Sequence, residues 1–187
     1  MRRLLALVAV VAALAPTGCT GGTGPDTSAA DPLRLVALLP TPAGMREAAP
    51  PHAVGAAEFA VALGGEPAEA GALADAGLRR AAVREWQGPG GARLLVAVGV
   101  WGDPDAARSV AARAAERPLG RPGARAWTPQ DVAGSRGAQL DGAGVRLRTL
   151  SLRVGETGVY VRSEGPVADA VVVRLATLLA TALGGEA

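Results

Sequence analysis

The chain has 187 residues, 49% of them hydrophobic and 3% aromatic, with one Cys and one His. That apolar content supports one packed domain and excludes wholesale disorder, while a lone Cys excludes any disulfide within the chain. Two of the 19 Arg lie at positions 2 and 3, and the remaining 17 equal the 17 Asp plus Glu, so the rest of the chain has no net charge and no electrostatic footprint for nucleic acid.

Lys, Asn and Ile do not occur, the pattern of a GC-rich coding sequence, so the exclusive use of Arg is no sign of an arginine-specific site. Residues 4–15 form an apolar run behind Met1-Arg2-Arg3, the form of a secretory signal. The run is shorter than the ~20 residues a helix needs to cross a bilayer core. Pro16-Thr17-Gly18-Cys19 follows it. On residues 14–19 the chain resembles the bacterial lipoprotein signal class, with Pro16 standing where Leu is usual and Leu14 displaced outward. The resemblance implies cleavage between Gly18 and Cys19, a diacylglycerol thioether on Cys19, and attachment to the outer face of the cell membrane. Plain secretion, with Ala13-Leu14-Ala15 as the cleavage motif, and an uncleaved anchor remain open. No later uncharged apolar stretch is long enough for a second span.

Residues 20–30 are rich in Gly, Thr, Ser and Pro and read as a flexible tether reaching roughly 20 Å. The division expected is therefore a signal peptide over 1–18, a lipidated tether over 19–30 and one domain over 31–187. Asp31-Pro32 opens a short helix that Pro40 stops. Residues 41–51 read as an irregular Pro-rich stretch. Helices follow over 53–63, closed by Gly64-Gly65, and over 66–76, closed by Gly77.

Residues 79–87 and 93–101 read as a hairpin in which Trp86 pairs with Leu94. Asp103-Pro104-Asp105 caps a helix with an Ala/Val stripe that ends at Arg117-Pro118. Residues 119–131 read as irregular and 141–144 as a turn. A second hairpin, 145–154 with 159–163, pairs Val154 with Val159. That register puts Leu150, Leu152, Val154, Val159 and Val161 on one face, and Thr149, Ser151, Arg153, Tyr160 and Arg162 on a wet one. Arg146 and Arg148 break the alternation, which predicts a bulge or strand end near Thr149. Residues 166–183 carry the strongest helical period. Two hairpin-plus-helix units predict an α+β fold: an antiparallel sheet of four to six strands with the helices on one face. In pattern alone this arrangement resembles lipoproteins of GC-rich Gram-positive bacteria, which implies no activity.

No chemistry-bearing set stands out. His52 reads as an exposed loop residue with no nucleophile in a G-x-S-x-G elbow to serve. One His and one Cys cannot make a typical zinc set, and Asp103 with Asp105 reads as a helix cap. The Gly88–Gly91 stretch lacks the Lys-Ser/Thr of a phosphate loop. The expectation is a protein without cofactor or catalysis. Candidate binding residues are Arg153, Tyr160 and Arg162 on the wet strand face, read either as a solvated surface or as a docking surface for an acidic partner or headgroup. Trp101, at a strand end, reads as core or as a ligand contact. Two functions compete: an adaptor engaging another envelope protein, and a carrier of a lipid or other apolar molecule in a cavity between sheet and helices.

Overall fold

The computed structural model describes residues 31–142 and 144–184. The expected signal peptide, the tether and Cys19 lie outside the described residues. Five helices and seven strands follow in the order α1 (Pro32–Ala37), β1 (Arg46–Val54), α2 (Ala56–Ala62), α3 (Ala70–Asp75), β2 (Leu78–Gln87), β3 (Arg93–Trp101), α4 (Pro104–Glu116), β4 (Ala124–Ala126), β5 (Arg136–Gly142), β6 (Val145–Val154), β7 (Thr157–Glu164) and α5 (Asp169–Ala182). The strands make one antiparallel sheet, ordered β1-β2-β3-β7-β6-β5-β4. The α+β class and the antiparallel sheet are as the sequence implies. Seven strands exceed the four to six expected, and three of them, β1, β4 (inside the stretch read as irregular) and β5, were not expected. β1 runs through Pro50-Pro51, tolerated because it is an edge strand with two register shifts. β5 occupies a segment that carries no β-branched residue.

The helices do not share one face. On one side α1 and α5 pack on Ala82, Trp86, Leu94, Val96, Val98, Leu150, Leu152, Val159 and Val161. On the other, α2, α3 and α4 pack on Ala81, Val83, Ala97, Trp101 and Tyr160. The cause is β3, whose two alternating rows are both apolar: Leu94, Val96, Val98 and Val100 on one face, Leu95, Ala97, Gly99 and Trp101 on the other. A strand apolar on both faces needs cover on both.

The first hairpin has the expected register, Trp86 opposite Leu94. The second is tighter, Val154 opposite Thr157 and Leu152 opposite Val159, a shift of two that leaves every side chain on its expected face. The break near Thr149 is absent. Arg146 and Arg148 keep strand parity and point toward the N-terminal end of α5. There the Arg148 guanidinium donates to both carboxylate oxygens of Asp141 at 2.8 and 3.0 Å and to Asp169 at 3.0 Å, and Arg146 donates to Asp169 at 3.1 Å. Asp169 lies in the first turn of α5, where negative charge is favoured. Two strand arginines thus tie the first turn of the helix to the sheet through the Asp169 carboxylate.

Arg84 does similar work for α1. It is 7% exposed and donates to the carbonyls of Val36 and Ala37 at 3.1 and 3.2 Å, to that of Leu39, and to Glu47 on β1. One cation satisfies the open carbonyl end of α1 and ties it to the sheet.

Candidate functional site

On the α2/α4 face the strands present three rows of register partners. His52, Val83, Ala97, Tyr160 and Ser151 form the first. Ala49, Glu85, Leu95, Arg162 and Thr149 form the second, and Arg46, Gln87, Arg93, Glu164 and Leu147 the third. Helices α2 and α4 cover the first row. Across the second and third rows lies an open groove of about 600 Å³, bounded on one side by Glu58, Val61 and Ala62 of α2. Its floor mixes Val83 and Leu95 with Glu85, Gln87, Arg93, Arg162 and Glu164.

Some of those charges are already paired. Arg162 donates to Glu164 two residues along β7, and His52 Nε2 lies 2.9 Å from Glu58 Oε1. The Glu58 carboxylate, with the Pro50 carbonyl at Nδ1, raises the His52 pKa above its ordinary value. Glu85 and Arg93 make no ion pair among the described residues and lie on neighbouring strands, diagonal to one another. The groove therefore offers, among the described residues, Glu85 (which also acts on His52) and Arg93 outside any ion pair, on a floor that mixes apolar and charged side chains.

Arg162 also lines a second, smaller pocket of about 120 Å³, together with Gly64, Arg117, Arg121, Thr149 and Tyr160. A Cβ on Gly64 would lie 3.4 Å from Arg162 Nη1 and 3.9 Å from Tyr160 Oη. Gly64 has φ +76°, a left-handed conformation that glycine adopts freely. Arg117 is held by a two-pronged bond to Glu69 at 2.8 and 2.9 Å, and the guanidinium pulls the Glu69 carboxyl down to about 2. Burial pushes the Tyr160 hydroxyl up to about 12, against the opposing pull of Arg162 and Arg117.

The expected wet strand face is a covered one. Thr149, Ser151 and Tyr160 are 1%, 3% and 3% exposed, because α4 lies over them and the Thr149 hydroxyl donates to the Ala115 carbonyl at 2.8 Å. Tyr160 therefore presents no ring to solvent, and of the expected trio only Arg162 reaches the groove. Arg153 lies outside both pockets and donates to the Gly155 carbonyl of its own hairpin. Trp101 is core, 1% exposed, its ring 5.9 Å from that of Phe59. It folds back over the register pair Gly99 and Gly158, where a Cβ would stand 2.6 and 2.8 Å from the indole. His52 is a strand residue paired across to α2, not a loop residue. The Asp103 side chain caps α4 as expected, accepting from the Asp105 amide at 2.9 Å. Arg93 and Arg121 were not singled out from the sequence, and only the register brings Arg93 near Glu85.

No protein family's sequence profile matches the chain, and no curated protein matches it by sequence. In fold it is similar to the extracellular domain of PknH from Mycobacterium tuberculosis, with a TM-score of 0.54 and 12% identity over 77% of this chain and 87% of that one. No helix among the described residues is long and apolar enough to cross a membrane.

Proposed function

We propose that the protein is a non-catalytic binding module of the cell envelope, held outside the membrane by lipid on Cys19 and engaging another envelope protein through the groove on the α2/α4 face of its sheet. The observation that carries the reading is the groove itself, an open floor across β2, β3 and β7 with Glu85 and Arg93 on it, outside any ion pair among the described residues. The signal and cysteine at the N-terminus, and the likeness in fold to a domain named as extracellular, support the location. An apolar carrier would call for an apolar cavity, and the charged rows of this floor favour a polar chain instead.

Two variants test the two halves of the reading separately. Cys19→Ser is expected to move the protein from the membrane fraction to the soluble one; a variant still retained by membranes would refute the lipid anchor. Glu85→Lys with Arg93→Glu is expected to abolish capture of the partner from solubilised envelopes while leaving the melting temperature unchanged. Capture at wild-type levels would refute the groove.

A further inference from the structure

The small pocket behind Arg162 has a chemistry of its own. Three arginines line it, Arg117, Arg121 and Arg162, two of them paired with the carboxylates of Glu69 and Glu164. Each pairing leaves donors over: a guanidinium carries five N–H groups, and Glu69 takes two from Arg117 while Glu164 takes one from Arg162. Arg121 is exposed and has no ion pair among the described residues. At the back stands Tyr160, 3% exposed, whose hydroxyl lines the pocket without a hydrogen-bond partner among the described residues. Its hydroxyl lies 3.9 Å from where a Cβ on Gly64 would stand, at the pocket lining, and is free to donate to an acceptor there.

We infer that this pocket binds a phosphate-type oxyanion, held by the spare N–H groups of Arg117, Arg121 and Arg162 and by the Tyr160 hydroxyl. The pieces are complementary in kind. A tetrahedral oxyanion offers only acceptors, and every group named here offers donors. With its proton retained far above neutrality, Tyr160 stays a donor at any physiological pH. Gly64 gives the anion room, since a side chain there would stand between Arg162 and Tyr160. Arg162 lines both the pocket and the groove, so the anion sits beside whatever occupies the groove. The site extends the proposed binding role and does not depend on which protein fills the groove. The oxyanion can be free inorganic phosphate or the phosphate of a lipid headgroup.

Tyr160 is the sole tyrosine, so 3-fluorotyrosine labelling of the whole protein gives one resonance that reports on the pocket. Inorganic phosphate is expected to shift that resonance saturably, where sodium chloride of equal ionic strength does not. Arg121→Ala should weaken the response roughly tenfold, the effect of losing one charge-assisted contact, with an unchanged melting temperature because the side chain is exposed. If only phosphatidylglycerol vesicles give the saturable, Arg121-dependent shift, the oxyanion is a headgroup phosphate. No saturable shift from either probe, or one that Arg121→Ala leaves intact, would overturn the inference. A null result here with partner capture still lost on Glu85→Lys and Arg93→Glu removes the pocket alone and leaves the groove standing.

Discussion

The two faces of the sheet are covered differently. On the α1/α5 face the helices bring Leu and Val (Leu35, Val36, Val172, Leu175 and Leu179) onto strand rows of the same bulk. The charges there, Arg84 and Arg148, are spent on helix ends. On the α2/α4 face the helices bring mostly Ala: Ala60, Ala62, Ala107, Ala111 and Ala114. Small side chains let α4 lie close to the strands, but α2 is only seven residues long and leaves the end of the sheet near the β2–β3 turn uncovered. One face is a core and the other a core with an opening beside it.

That contrast can be broken by substitution. The largest effect is expected from Leu175→Ala in α5, 2% exposed, at about 2–5 kcal/mol in denaturant melts. The corresponding change on the other face, Val110→Ala in α4, removes less buried carbon and should cost about 1.5 kcal/mol at ~0.8 kcal/mol per carbon. Equal losses per carbon removed, three for Leu and two for Val, would mean the two faces are not packed differently. Arg84→Ala should cost about 1–3 kcal/mol, because it strands the carbonyls at the end of α1. Its local signature is faster hydrogen exchange at the amides of Leu35, Leu38 and Leu39. Gly158→Ala tests the slot beneath Trp101: a methyl placed 2.8 Å from the indole should destabilise by about 1–3 kcal/mol and perturb tryptophan fluorescence.

The smallest expected effect is electrostatic. Glu69 has a folded pKa of about 2 against an ordinary 4.5, so its pairing with Arg117 favours the folded state above pH 4.5. That contribution falls away as pH drops from 4.5 through 2. Solvent screens the pair, so the loss is small. Glu69→Gln should flatten stability between those two pH values and leave the neutral range nearly untouched. An unchanged slope in acid melts would show that the pair is not formed in solution.

Much of the fold is legible in the sequence, and the misses have physical causes. The hairpins are legible because β2, β3, β6 and β7 are short apolar or alternating runs between turn glycines, and α5 because its Val/Leu stripe is long. The two-sided sheet was also written there, in the unbroken apolar run from Leu94 to Trp101; reading that run as one-faced put all the helices on one side. β1 was hidden by Pro50-Pro51, tolerated at the sheet edge, and β5 by its Gly-Ala-Gln composition, since a strand paired on both sides leans on its neighbours more than on propensity. The residues of the candidate site were half legible. Tyr160 and Arg162 do converge, yet in a pocket under α4, because burial depends on which helix lands on a strand. Glu85 and Arg93 meet only through register, which no local pattern carries.

The groove is the claim on which the functional reading turns, and in-cell photo-crosslinking addresses it most directly. A photoreactive residue at Leu95, on the groove floor, is compared with one at Arg174, exposed on α5. A discrete adduct with an envelope protein from position 95, and none from position 174, is the expected outcome. Silence at 95, or equal labelling from both positions, would mean that the open face is not where this protein binds.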